Sequence, residues 1–95
     1  MKSITVKTLK EKIKNKENIQ LIDIRENYEH ENGKICELNI PMDEMITRID
    51  EIRNKKEKII YCKSGKRSKS LAFIIKQKFN LEVSYLEGGY EDYIK

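Results

Sequence analysis

Short apolar runs alternate along the chain with segments whose apolar residues recur at helical spacing. The apolar runs are typical of β-strands and lie at residues 4–6, 19–24, 35–40, 58–61 and 83–86. Helices are predicted at residues 8–14, at residues 43–53 and from about residue 68 to Asn80, with short turns at residues 26–32 and 90–94. Strands that alternate with helices predict an α/β fold, a five-stranded and mainly parallel sheet with helices on both faces.

Two helical stripes are predicted to be core rather than ligand sites, because their spacing is that of a buried helix face. The first consists of Met42, Met45, Ile46, Ile49 and Ile52. The second, in the helix that ends at Asn80, consists of Leu71, Ile74, Ile75 and Phe79.

The polar residues that are candidates for a reactive site cluster at the ends of predicted strands. Cys62 follows the fourth predicted strand, and residues 23–26 close the second. The carboxyl ends of parallel strands meet at one edge of the sheet, where such folds collect their reactive groups. We therefore expect these two segments to lie close together.

Length and composition indicate a single domain without a membrane-spanning helix. The 95 residues suffice for one hydrophobic core, so residues 1–95 are predicted to form one domain. No stretch approaches the roughly 18 apolar residues of a transmembrane helix, and the basic start lacks the apolar stretch of a signal peptide. We expect a cytoplasmic protein with no membrane partner, and a reducing compartment argues against a structural disulfide between Cys36 and Cys62.

Positive charge is concentrated around the cysteine. Residues 53–69 carry eight basic side chains and a single acid, Glu57, in a chain of net charge +4. Such a segment attracts anions. Nucleic acid is the competing partner for a basic segment, but only Tyr61 lies among these charges and no recognition motif accompanies them, so none is expected.

The segment from Ile59 to Ser68 carries the clearest chemical signal. A short strand ends in Cys62, a polar loop containing Gly65 follows, and a helix begins. The N–H groups of such a loop can converge on the sulfur, and the helix adds the positive end of its dipole. Together with the neighbouring cations, these effects predict a thiol pKa below its ordinary value of about 8.5.

Three motifs make the chain similar to the single-domain rhodaneses. Residues 62–68 match the Cys-x-x-Gly-x-Arg-Ser loop of that family at every fixed position. Residues 21–26, Leu-Ile-Asp-Ile-Arg-Glu, resemble its early Leu-Ile-Asp-Val-Arg-Glu strand, and residues 86–91 resemble its Leu-x-Gly-Gly-aromatic signature. The resemblance covers almost the whole chain and implies a rhodanese-like α/β fold.

The same resemblance implies a sulfurtransferase. Cys62 would attack the outer sulfur of an anionic donor such as thiosulfate or a persulfide, and pass it to cyanide or a thiol. Loop length supports this reading, because cysteine-based phosphatases use Cys-x5-Arg, whereas Cys62 to Arg67 is Cys-x4-Arg. The tighter loop suits a persulfide better than a phosphoryl group, which disfavours a phosphatase or an arsenate reductase.

Substrate contacts are expected from the six residues that follow the nucleophile: Lys63, Ser64, Gly65, Lys66, Arg67 and Ser68. Lys63 and Lys66 are expected to attract the anionic donor. Arg67 either binds the donor or braces the loop. Ser68 is a candidate helix N-cap, and Gly65 allows a turn that a side chain would hinder.

Other polar residues are assigned supporting roles. Asp23 and Arg25 are expected to fix the neighbouring edge without touching substrate. His30 and Cys36 are interpreted as packed side chains, and Gly88 with Gly89 as a turn without chemistry. No metal-ligand spacing or nucleotide motif is present, so we expect no metal and no cofactor.

A second function remains open at this point. The domain could be a non-catalytic or carrier-like module that holds persulfide sulfur for a partner protein. An intact Cys62 counts against a purely structural module but is compatible with a carrier.

Overall fold

The computed structural model describes residues 2–95, and within them none of the helices is long and apolar enough to cross a membrane. The strands are β1 (Lys2–Ile4), β2 (Ile19–Asp23), β3 (Glu57–Tyr61) and β4 (Ser84–Leu86). The α-helices are α1 (Val6–Lys14), α2 (Asn27–Asn32), α3 (Lys66–Phe79) and α4 (Gly89–Tyr93). Two 3₁₀ turns span Met42–Glu44 and Ile49–Ile52.

All strand pairs are parallel, in the order β1-β4-β3-β2. Side chains of β3 alternate between the two faces of the sheet. Ile59 and Tyr61 pack in the cluster that contains α1 and α4 residues, whereas Ile60 and Cys62 pack in the cluster that contains α3. The predicted α/β class, with helices on both faces of a parallel sheet, is confirmed.

The sheet has four strands within residues 2–95 rather than the five predicted. The expected strand at residues 35–40 is reduced to one parallel bridge between Asn39 and Asp23. Asp23 donates its N–H to Leu38 O at 3.0 Å and accepts from Ile40 N at 2.9 Å. The ladder stops there because β2 ends at Asp23 and because Pro41 has no N–H to donate.

Residues 43–53 form no continuous helix, contrary to the prediction. Two 3₁₀ turns replace it, and the β-branched residues Ile46, Thr47 and Ile49 between and within them lower helix propensity. Met45, Ile49 and Ile52 are nevertheless buried, so the prediction that this stripe is core is confirmed for them.

Helix boundaries differ at the amino-terminal ends. The Oγ1 of Thr5 accepts a hydrogen bond from Thr8 N at 3.2 Å, so α1 begins at Val6 and not at Thr8. Gly65, not Ser68, is the N-cap of α3, and Asn80 ends that helix as predicted, in the left-handed conformation. In addition, one residue of the apolar stripe that was predicted to be the buried face of α3 is exposed.

Ile74 was assigned to the buried face of α3, but 42% of its surface is exposed. Ala72 takes part in the core instead, with Leu71 and Ile75. Together with Phe73, which is 53% exposed, Ile74 gives α3 two large apolar side chains that face solvent.

Gly89 provides a test of how tightly the carboxyl-terminal segment packs. Its φ is +62°, and a Cβ placed there would lie 2.6 Å from the carbonyl oxygens of Cys62 and Lys63. We expect Gly89→Ala to lower the free energy of unfolding by about 2 kcal/mol in urea titrations, because neither carbonyl can rotate away.

Gly88→Ala is the matched control, since Gly88 has a similar φ of +77° but faces the side chain of Asp92. The nearest atom is Asp92 Cβ at 2.6 Å, which moves only with its turn of α4; because that turn is exposed it can shift, so the loss should be smaller. Equal losses in the two variants would contradict the proposed contact with the carbonyls.

Candidate active site

Cys62 lies at the carboxyl end of β3, and the loop that follows folds around its sulfur. Gly65 N donates to Sγ at 3.1 Å and Ser68 N at 3.4 Å, while the Ser68 hydroxyl lies 3.4 Å from Sγ. Cys62 has no exposed surface. A sulfur donor can therefore reach the sulfur only after a movement of the residues that enclose it.

The pKa of Cys62 is set by opposing effects. Burial raises the pKa, because it disfavours the thiolate. Hydrogen bonds from the Ser68 hydroxyl and from the N–H groups of Ser68, Gly65 and Ser64 act against burial and bring the pKa below its ordinary value. The Ser68 hydroxyl also donates to Gly65 O at 3.1 Å, so its one proton can turn from that carbonyl to the thiolate.

The backbone conformation of Gly65 makes this arrangement possible. Its φ of +99° lies in the left-handed region, which residues with a side chain rarely adopt. A Cβ would also lie 3.1 Å from Gly88 N and 3.2 Å from Leu86 O. The glycine thus allows the loop to turn its N–H groups inward at the start of α3.

Three cations lie on the loop and the first turn of α3, which enclose the buried sulfur. Lys63, Lys66 and Arg67 are exposed, and within residues 2–95 none of them forms a salt bridge. Their charge is therefore not neutralised by the protein, and it remains available to anions that approach the loop.

The carbonyl groups of the loop bind the start of α4. Cys62 O accepts from Tyr90 N at 2.8 Å, and Lys63 O accepts from Glu91 N at 3.0 Å. Lys63 O and Ser64 N–H belong to the same peptide group. Holding that carbonyl outward consequently keeps the Ser64 N–H directed to the sulfur side.

Asp23 and Arg25 form a buried ion pair at the neighbouring strand end. Arg25 donates through Nε and Nη2 to the Asp23 carboxylate at 2.9 and 2.7 Å, and Asp23 Oδ2 lies 2.8 Å from His30 Nδ1. Burial raises the pKa of Asp23, but the hydrogen bonds from Arg25 and His30 outweigh it and leave the pKa below its usual value.

Within residues 2–95, neither residue of that pair forms a hydrogen bond or ion pair with residues 62–68. The Arg25 guanidinium lies 4.1 Å from the centre of the Tyr90 ring, and Tyr90 N binds Cys62 O. The structure thus connects the two strand ends through Tyr90, and the supporting role of Asp23 and Arg25 stays a prediction.

Cys36 occupies a different environment from Cys62. It packs against the cluster on the α1 and α4 face of the sheet, whereas Cys62 belongs to the cluster on the α3 face. Burial raises the pKa of Cys36 to about 11. At neutral pH Cys36 is therefore a neutral thiol.

The sequence analysis missed the part played by the glycine pair and Tyr90. Gly88 and Gly89 were interpreted as a turn without chemistry, yet they bring two N–H donors against the carbonyls of the loop. The detectable signal was a Gly-Gly-aromatic segment that begins two residues after the end of β4, the strand that neighbours β3 in the sheet.

Comparison with known proteins gives a consistent result. The model of the family "Rhodanese-like domain" matches residues 5–95. A protein named "Sulfurtransferase" from Allochromatium vinosum is 33% identical, over 90% of this chain and 81% of its own length. A rhodanese-related protein from Thermoplasma volcanium has a crystal structure that superposes with a TM-score of 0.87 at 28% identity, covering 99% of this chain and 91% of that one.

Two similar proteins from Bacillus subtilis are longer than this chain. YqhL is 37% identical over 76% of the chain, which spans 58% of YqhL. "Putative sulfur carrier protein YrkF" is 30% identical over 95% of the chain, which spans 49% of YrkF. The chain thus covers about half the length of these relatives.

The Ser68 hydroxyl should be one of the groups that hold the thiolate. We expect Ser68→Ala to raise the pKa of Cys62, because the thiolate loses one hydrogen-bond donor while the loop N–H groups remain. The measurement is the pH dependence of alkylation by a small reagent such as iodoacetamide. Ser70→Ala, on the exposed side of the same helix, is the control, and identical pH profiles for the two variants would show that the hydroxyl does not act on the sulfur.

Proposed function

Because the chain belongs to the rhodanese-like domain family, we propose that it is a sulfurtransferase that carries sulfane sulfur as a persulfide on Cys62. The observation that carries the proposal is the set of loop N–H groups around Sγ, with Gly65 N at 3.1 Å. These N–H groups favour the thiolate that attacks the sulfur donor. They also suit the negatively charged outer sulfur of the persulfide that forms. The reducing cytoplasm suits this chemistry, because it keeps the thiol free to react.

The proposed reaction has two balanced half-reactions. The Cys62 thiolate attacks the outer sulfur of thiosulfate, the S–S bond of the donor breaks, and its electron pair leaves with sulfite. Cys62 then carries a persulfide. Cyanide attacks the outer sulfur, thiocyanate leaves, and the electron pair of the broken bond restores the thiolate. A thiolate acceptor would react in the same way and leave as a persulfide.

The loop residues take distinct parts in this proposal. The N–H groups of Ser64, Gly65 and Ser68 hold the negative sulfur in each state. Lys63 and Lys66 attract the dianionic donor, since both are exposed and without a salt bridge within residues 2–95. Asp23 and Arg25 act through Tyr90 on the position of the loop.

A second function rests on one of the relatives. The name of YrkF describes a sulfur carrier, and a domain with the same loop could hold the persulfide for a partner protein rather than release it to a small acceptor. The two functions share the first half-reaction and differ in the acceptor. A steady-state comparison of cyanide, small thiols and candidate acceptor proteins separates them.

Sulfur should load on Cys62 alone. Incubation with thiosulfate and no acceptor should add the mass of one sulfur atom, which a reducing thiol then removes. Cys62→Ser should abolish both this addition and thiocyanate formation, because a neutral hydroxyl does not form the persulfide.

Cys36→Ser is the matched control and should keep both reactions, since the Cys36 thiol is neutral at the assay pH. Added sulfur that mapped to Cys36, or a Cys36–Cys62 disulfide formed during turnover, would overturn the single-cysteine mechanism.

The cations of the loop should act on donor binding. Lys63→Ala and Lys66→Ala should each raise KM for thiosulfate by about threefold, with a smaller effect on kcat, because exposed charges contribute modest attraction. Rising ionic strength should have the same effect on the wild type. Lys7→Ala, which removes an exposed charge from α1, is the control, and kinetics independent of salt would rule out donor attraction by this surface.

A further inference from the structure

An open groove lies next to the catalytic loop and is not used by the steps described so far. It has a volume of about 480 Å³. Its walls come from the start of α2, the segment around the first 3₁₀ turn, and α3. The lining residues are Glu26, Met42, Asp43, Ile46, Arg67, Leu71 and Ile74.

The groove continues directly from the candidate active site along α3. Arg67 belongs to the loop that holds Cys62, and its neighbour Ser68 contacts the sulfur. Arg67, Leu71 and Ile74 are spaced four and three residues apart, so they share one face of the helix. At a rise of 1.5 Å per residue, this row extends about 10 Å away from the loop.

Most of the lining is apolar, and part of it is exposed to solvent. Ile74 is 42% exposed, whereas Leu71, one turn earlier on the same face of α3, is buried. Met42 and Ile46 are half-buried on the opposite wall. An apolar ligand segment that displaces water from these side chains gains binding free energy in proportion to the area that it covers.

The charged lining residues have an excess of negative charge. Glu26 and Asp43 face the groove with Arg67, and none of the three has a salt-bridge partner within residues 2–95. Glu26 is the N-cap of α2, where its N–H donates to the Glu29 carboxylate at 3.0 Å. The groove thus favours a cationic group, whereas Lys63 and Lys66 on the loop favour an anion.

We propose that this groove binds the organic part of the sulfur acceptor and selects thiols whose apolar stem ends in a cationic amine. The inference rests on the proposed sulfurtransferase function and specifies its acceptor. Arg67, at the end of the groove that joins the loop, favours the thiolate of the acceptor. The stem lies on Leu71, Ile46 and Ile74, and the amine is held by Asp43 and Glu26.

The transfer step requires no further reactant. The acceptor thiolate attacks the outer sulfur of the Cys62 persulfide and forms a new S–S bond. The bond between Sγ and that sulfur breaks, and its electron pair stays on Sγ. The products are the persulfide of the acceptor and the Cys62 thiolate.

The test uses straight-chain thiols that end in an amine, a hydroxyl or a carboxylate, compared at equal chain length as acceptors from sulfur-loaded protein. Rates are expressed per thiolate, because the end group changes the pKa of the thiol. We expect kcat/KM to fall from amine to hydroxyl to carboxylate, by about threefold at each step for exposed charges. Each added methylene should raise kcat/KM by about twofold within the length of the groove.

Two variants connect these preferences to the groove. Asp43→Asn should reduce the ratio of amine to hydroxyl acceptors by about half or more, and Ile74→Ala should flatten the dependence on chain length. Glu31→Gln removes an exposed acid outside the groove, and Ile13→Ala removes an isoleucine of similar exposure, 41%, on α1. Both controls should keep the wild-type preferences.

The outcomes separate the inference from the function on which it rests. If wild-type protein transfers sulfur from thiosulfate to cyanide but shows no preference among the thiols, the groove assignment is overturned and the sulfurtransferase stands. A preference that survives in Asp43→Asn and Ile74→Ala also overturns it. If no sulfur loads on Cys62, the proposed function fails and the acceptor groove fails with it.

Discussion

The candidate site depends on the fact that a peptide group cannot direct its N–H toward the sulfur without directing its C=O away from it. The Ser64 N–H acts on Cys62, so the carbonyl of Lys63 in the same peptide group needs a donor elsewhere. Glu91 N supplies that donor at 3.0 Å, and Tyr90 N supplies another for Cys62 O at 2.8 Å. A buried carbonyl without such a partner would cost free energy, so α4 is part of the machinery that orients the loop. The close approach of α4 in turn requires Gly89, whose missing side chain leaves room for both carbonyls.

The two cysteines show that local hydrogen bonding, more than burial, decides which thiol can react. Cys62 is buried and Cys36 is half-buried, and burial raises the pKa of each. Cys36 donates to Leu38 O at 3.3 Å, a contact that suits the neutral thiol, whereas Cys62 receives N–H groups that suit the anion. The two pKa shifts are therefore opposite because hydrogen bonds to the sulfur outweigh burial at Cys62, whereas burial outweighs them at Cys36.

The features that were predictable from sequence are those that local patterns determine. The succession of β3, Cys62, the loop and α3 was visible in ten consecutive residues, and the alternation of strands with helices implied the parallel sheet. The errors concern contacts between distant segments. No local pattern shows that residues 35–40 would form only one β-bridge, the one to Asp23. Nor does a local pattern show that 3₁₀ turns would bury Met45 and Ile52. The exposure of Ile74 was missed for the same reason, because it depends on which residues cross α3 on that side.

The arrangement of charge around the loop is suited to a reaction in two steps with different partners. The donor step brings an anion to a thiolate, which requires cations close to the sulfur. Lys63 and Lys66 meet that requirement, since both are exposed and form no salt bridge with any residue from 2 to 95. After the donor has left, the same cations still attract any anionic acceptor, including the sulfite that has just been released. An adjoining surface with an excess of carboxylates counteracts this, because it favours an acceptor that differs from the donor in charge. The groove beside Arg67 has that composition, so one small domain can present surfaces of opposite charge preference to the two reactants without changing its fold.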